Sequence, residues 1–236
     1  MEKFKKSFNE IVAIIMYILI FFGLGTCLNE ILFNTIEDME LVMLLSNLIP
    51  YTLIFITAIV LLRFEIKTDF TRLNKSDAMT TFRIVIMGLG MAYMGNYIGS
   101  LISTLLGGGV SGNQQAVDSV LLGKYGFIFA FITIFIGPIV EELIFRKSIH
   151  GALRKFNVNP SLILVISSVL FGLLHVVLNG DFVNIFPYIG MGLALGWMET
   201  KTRNVMPSIF AHMTINAIAV IMTMILFKIQ PFLPQI

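Results

Sequence analysis

The sequence predicts an all-α fold, a polytopic transmembrane helical bundle of about seven spans with a cytoplasmic N-terminus. Three observations carry this expectation. Of 236 residues, 57% are apolar and only 13% are charged, against roughly 25% charged in an average soluble domain. The apolar residues form continuous runs of helix length, where barrel strands would alternate every second residue. The basic residues gather between alternate runs. This composition excludes a soluble enzyme, a disordered chain and a nucleic-acid binder, whose basic charge would be concentrated on one face. The single cysteine, Cys27, excludes a disulfide framework and a multi-cysteine metal cluster.

A helix needs roughly 20 mostly apolar residues to cross hydrocarbon. Seven stretches fit: 11–28, 41–62, 83–106, 125–146, 160–179, 184–200 and 206–228. The first follows Lys3, Lys5 and Lys6 and resembles a signal peptide, but it lacks a small-x-small cleavage site and reads as an uncleaved span. With the N-terminus inside, the inner segments collect Lys3, Lys5 and Lys6, then Arg63, Lys67, Arg72, Lys75 and Arg83. Arg146, Lys147, Arg154 and Lys155 follow, then Lys201 and Arg203. That is 14 of the 16 basic residues, and a miscounted span would scramble the alternation. The outer segment 29–40 carries Glu30, Glu37, Asp38 and Glu40 with no Lys or Arg. The last span is followed closely by Pro231 and Pro234. The longest connections, 64–82 and 107–124, read as polar loops. The second opens on Gly107, Gly108 and Gly109, a turn without the Lys-Ser/Thr sequel of a phosphate loop. The chain divides into 1–124, three spans without a motif, and 125–236, four spans that hold the embedded polar residues.

Those polar residues are the informative ones. Glu141 and Glu142 lie inside Ile136-Gly-Pro-Ile-Val-Glu-Glu-Leu-Ile-Phe145, where each acid costs roughly 2.5–3.5 kcal/mol at a helix centre. Arg146 is four residues beyond Glu142, the spacing of an internal ion pair. Adjacent helical residues point about 100° apart, so Glu141 is expected to face another helix or a water cavity. His175 and His212 are embedded too, with Asn216 one turn after His212. His150 sits among Arg146, Lys147, Arg154 and Lys155, where a wet cytoplasmic face explains it. The turn at Phe156-Asn-Val-Asn-Pro160 is equidistant from Glu141 and His175, so an antiparallel helix pair brings the two to one height. His212 lies about 13 Å above the basic turn at Lys201 and Arg203. The three groups are therefore expected to converge near the cytoplasmic side.

A buried carboxylate and a neutral imidazole can together deprotonate water. A second histidine and a carboxamide one turn apart can donate to the oxyanion that forms when water attacks a carbonyl. These are the parts of peptide hydrolysis without a covalent intermediate. No serine elbow accompanies them, and Cys27 lies near the outer end of the first span, which disfavours nucleophilic catalysis. The same Glu141, His175 and His212 also make a His-His-Glu zinc set, though the HExxH spacing is absent. The residues alone leave metal-bound and metal-free water activation both open.

Glu141-Glu142-x-x-x-Arg146, Phe171-x-x-x-His175 and His212-x-x-x-Asn216, in this order, resemble the CAAX protease and bacteriocin-processing (CPBP, or Abi) family over about 130–222. The resemblance implies an intramembrane endopeptidase in which Glu141 and His175 activate water and His212 and Asn216 form the oxyanion hole. Glu142 and Arg146 would brace the site, with Phe171 packed beneath His175. It favours a glutamate-dependent reaction without a cofactor over the Zn2+ alternative. Its expected partners are the lipid bilayer and a membrane-associated protein or peptide cut near the cytoplasmic face, not nucleic acid. Seven spans are one fewer than in the eukaryotic prenyl-protein protease of the family, so the shape of any prenyl cleft is open. A composition rich in Lys, Ile, Asn and Phe points to a bacterial cell membrane. The alternative readings are a non-catalytic scaffold or bacteriocin-immunity protein of the same fold, and a proton-coupled transporter, which would usually show internal repeats.

Overall fold

The computed structural model describes residues 7–229. The expectations resting on Lys3, Lys5, Lys6, Pro231 and Pro234 lie outside the described residues. Within them the chain is helical and without strands. The helices are α1 (Phe8–Thr35), α2 (Met39–Leu61), α3 (Arg63–Lys75), α4 (Ala78–Leu105), α5 (Gly112–Leu121), α6 (Gly126–Lys155), α7 (Pro160–Val176), α8 (Ile185–Thr202) and α9 (Met206–Ile229). Five of them, α1, α2, α4, α6 and α9, are long and apolar enough to cross a membrane. The segments expected as the fifth and sixth spans form α7, apolar but 17 residues long, and α8, which ends on Glu199 and Lys201.

Local chemistry explains where the helices begin. Asp38, Asp77, Ser111 and Asn159 cap α2, α4, α5 and α7, each side chain accepting a backbone N–H of the first turn. Pro160 stands at the first position of α7, where a missing N–H costs nothing. Arg203, with φ 52, ends α8 in the left-handed conformation, and Gly107, with φ 86, turns the chain after α4.

Two segments expected as loops are helices. α3 occupies most of 64–82 and α5 most of 107–124. Both are too polar to show as apolar runs; α3 is held by buried Asp69, which reaches Lys147 of α6 at 2.6 Å and accepts the Val205 N–H ahead of α9. Asp69 thus ties α3 to α6 and to the start of α9.

α6 is the centre of the bundle. Just over half (56%) of its most apolar window is buried, against 17–22% for the other four long helices. It is not a regular α-helix: it widens to π-type turns over Ile132–Ile136 and Leu143–Ile149. The first precedes Pro138, which lacks an N–H and crowds the carbonyl four residues back. Such turns often mark functional sites, and Glu141 and Glu142 lie between the two. On the other side, α4 crosses α8 at backbone contact. A Cβ on Gly95 would stand 2.8 Å from the Gly190 carbonyl, and one on Gly99 would stand 2.4 Å from the Pro187 nitrogen. Small residues at this crossing let the two backbones touch.

Candidate active site

The irregular stretch of α6 sends its two acids in different directions. Glu142 is fully buried and pairs with Arg146, Oε1 to Nη1 at 3.1 Å, across one turn of its own helix. Arg146, equally buried, also donates to the Gly192 carbonyl of α8 at 3.0 Å and lies 4.4 Å from the centre of the Phe171 ring of α7. One guanidinium thereby joins α6, α7 and α8, and the ring face favours its charge. Glu141 does not share that arginine. It turns into a cavity and accepts a hydrogen bond from the Tyr51 hydroxyl of α2 at 3.1 Å.

The histidines meet it there. His175 Nε2 lies 3.9 Å from Glu141 Oε2, and His212 Nε2 lies 3.8 Å from the same oxygen. Each ring is held by its other nitrogen. His175 donates Nδ1–H to the Phe171 carbonyl at 2.9 Å, which fixes the ring with its Nε2 toward Glu141. His212 places Nδ1 3.1 Å from Glu142 Oε1. Phe171 touches both imidazoles, 4.6 Å from His175 and, edge-on, 5.8 Å from His212 between ring centres, while Tyr188 of α8 stacks on His175 at 4.4 Å. Asn216, one turn after His212, donates to the Thr133 carbonyl at 2.9 Å and lines the same cavity.

That cavity has a volume of about 240 Å³. The embedded residues singled out in the sequence thus come to one place: Glu141, His175, His212 and Asn216 on its wall, Glu142, Arg146 and Phe171 behind them. Tyr51 and Tyr188 also touch it and were not anticipated. A tyrosine in an apolar helix resembles any other large side chain until its hydroxyl partner is known.

His150 departs from expectation. It is 1% exposed, not on a wet face, because Glu199 of α8 reaches it at 2.7 Å and also clamps Arg154. Arg146, counted among the basic residues of an inner loop, is buried with it. Cys27 is exposed, on α1. Among the described residues, no set of three His, Cys, Asp or Glu side chains is arranged to hold a metal ion, the Glu141, His175 and His212 group included.

Residues 123–218 match the model of the family described as type II CAAX prenyl endopeptidase Rce1-like. The chain is 34% identical over 146 residues to "Putative membrane peptidase YdiL" of Bacillus subtilis, covering 61% of this chain and 54% of that protein. It is 27% identical over 175 residues to "Membrane-embedded CAAX protease MroQ" of Staphylococcus aureus, covering 72% and 70%. To "UPF0177 protein YxdF" of Lactococcus lactis it is 31% identical over 98 residues, covering 40% and 51%. The chain spans about half the length of YdiL and of YxdF. No solved structure gives a significant match. Five apolar helices and bacterial relatives named for the membrane make this a multi-pass bacterial membrane protein. Residues 123–218, the part of the chain that resembles Rce1-like CAAX prenyl endopeptidases, hold every one of the clustered acid, histidine and asparagine side chains.

Proposed function

We propose that the protein is an intramembrane endopeptidase that hydrolyses a peptide bond of a membrane-associated protein or peptide. The observation that carries this reading is the position of Glu141 Oε2, less than 4 Å from both His175 Nε2 and His212 Nε2 on the wall of one cavity. A water can bridge Glu141 and His175 at ordinary hydrogen-bond lengths of about 2.8 Å.

In this mechanism Glu141 takes a proton from the water, and the lone pair of His175 holds the second water hydrogen and aims the oxygen. The new C–O bond forms as the carbonyl π pair moves onto oxygen. That oxyanion accepts from the second N–H of Asn216, the first being given to Thr133, and from His212 when its Nε2 is protonated. The C–N bond then breaks, and the proton held by Glu141 passes to the leaving amine. Tyr51 orients the carboxylate; Glu142 and Arg146 hold His212 from behind. Water activation without a metal is part of the proposal.

The test is comparative membrane proteomics of a wild-type strain and a Glu141→Gln strain. Peptide termini that disappear in the variant support the reading and name the substrate. An unchanged set of termini, with equal amounts of inserted protein, overturns it.

A further inference from the structure

The cavity continues past the reacting groups, and the continuation has its own chemistry. Its wall there carries four carboxamides from three helices: Asn47 of α2, Asn96 of α4, and Asn113 and Gln114 of α5. Resting on the peptidase reading, we propose that these four residues form a subsite for the main chain of an extended, uncharged peptide segment flanking the scissile bond. The segment enters from the end of the bundle that carries α5, opposite the basic loops.

The direction follows from what is sealed. Toward the Lys155 end of α6, the site is backed by Phe145, Phe171, Glu142 and Arg146, none more than 4% exposed. No chain can approach Glu141 through that layer without unpacking a buried ion pair. Toward α5 the wall is mixed: Asn113 and Gln114 stand beside Val117, Leu121 and Phe129, and the carboxamides are its polar part. α5 is fastened there as a rim: the Ser111 hydroxyl meets Tyr188 at 2.7 Å, and Gly112 N–H donates to Asp181 at 2.9 Å. Tyr188 also stacks on His175, so the rim is tied directly to the site.

The ligand class follows from the side chains. A carboxamide offers one acceptor and two donors, the same groups as a peptide unit, and can pair with it in an extended strand. Asn47, Asn113 and Gln114 each spend an N–H on protein, on Met43, Tyr188 and Asp118 respectively, which leaves their oxygens to accept peptide N–H groups. Asn96 is exposed and bonded to none of them, so it offers both kinds of group. Among the described residues, the only carboxylate on the wall is Glu141, so an acidic segment meets like charge near the site.

The experiment uses the full chain in lipid nanodiscs and a self-quenched peptide of Gly, Ala, Ser and Gln flanking a cleavable bond. A matched peptide carries Asp at successive flanking positions. Asn96→Leu and Gln114→Met, nearly isosteric and made separately, are each expected to raise KM for the neutral peptide about tenfold with kcat within twofold. Asp in the flanking segment is expected to raise KM for wild type. A fluorophore on Val110→Cys in a Cys27→Ser background should respond to the neutral peptide, while one on Lys75→Cys at the far end should not. Unchanged KM in both variants, or a response at Lys75→Cys instead of Val110→Cys, overturns the subsite while leaving the peptidase reading intact. A saturable response at Val110→Cys that Asn96→Leu and Gln114→Met weaken, with no cleavage by wild type, overturns the peptidase reading and leaves the subsite standing.

Discussion

Glu142 and His212, seventy residues apart in sequence, face each other at 3.1 Å in a fully buried pair, carboxylate oxygen to Nδ1. The same oxygen takes the Arg146 guanidinium at 3.1 Å. Glu142 is thus the joint at which the helix that carries Glu141 fixes the orientation of the helix that carries His212 and Asn216.

Glu142→Ala leaves Arg146 charged, buried and without its carboxylate. Breaking one side of such a pair costs about 3–5 kcal/mol, so thermal unfolding in detergent should move down by many degrees. A midpoint within a degree or two of wild type would contradict the bracing role.

Tyr51→Phe removes the hydroxyl that donates to Glu141 and leaves the ring in place. A hydrogen bond to a charged group contributes about 1.5–3 kcal/mol. If that stabilisation is felt in the transition state, kcat falls by about one to two powers of ten, with KM little changed. An unaltered kcat would place Tyr51 outside the reaction.

Asn216→Ala removes the proposed oxyanion donor. Loss of such a donor costs about 10²–10³ in kcat in characterised hydrolases, and an effect of that size without a shift in melting temperature is expected here. A fall in stability with turnover per folded molecule preserved would make Asn216 a packing residue that holds Thr133.

At the bundle ends, pH acts through capping. The Asp77 carboxyl is held below the usual carboxylate range by the Thr80 hydroxyl and then by the Thr80 backbone N–H. A depressed folded-state pKa gives a contribution that is present above the unfolded value of about 3.9 and lost as pH falls through the folded one. Asp77→Asn caps the helix without titrating. Its melting temperature should therefore match wild type near pH 7 and decline less steeply below about pH 4. Identical acid profiles would contradict this.

Much of this architecture was legible in the sequence because membranes simplify the reading. Hydrophobic runs located the long helices, and the turn at Asn157, with φ 62, sits where the equal spacing of Glu141 and His175 required it. Embedded charge marked Glu141, Glu142 and Arg146, since nothing else explains acids in an apolar run. What stayed hidden has physical causes. α3 and α5 are polar and leave no apolar signature, although Asp69 of α3 ties Lys147 to the start of α9. His150 read as a residue of a wet face because the partner that lets it be buried, Glu199, lies on a different helix. The crossing of α4 and α8 was written in Gly95-Asn-Tyr-Ile-Gly99, small residues one turn apart, yet the partner glycine at 190 shows only in three dimensions. The buried layer of Phe145 and Phe171 behind the site is likewise a packing fact that shows only in three dimensions.

The central claim is that Glu141 is the base. Purified wild type and Glu141→Gln, equally folded by melting temperature, should be compared on one membrane-proximal peptide under single-turnover conditions, with and without a chelator. The account predicts a rate lower by about 10²–10⁴ in the variant, the range of general-base catalysis, and no effect of chelator on wild type. Cleavage by Glu141→Gln at the wild-type rate, or wild-type cleavage abolished by chelator and restored by Zn2+, would contradict it.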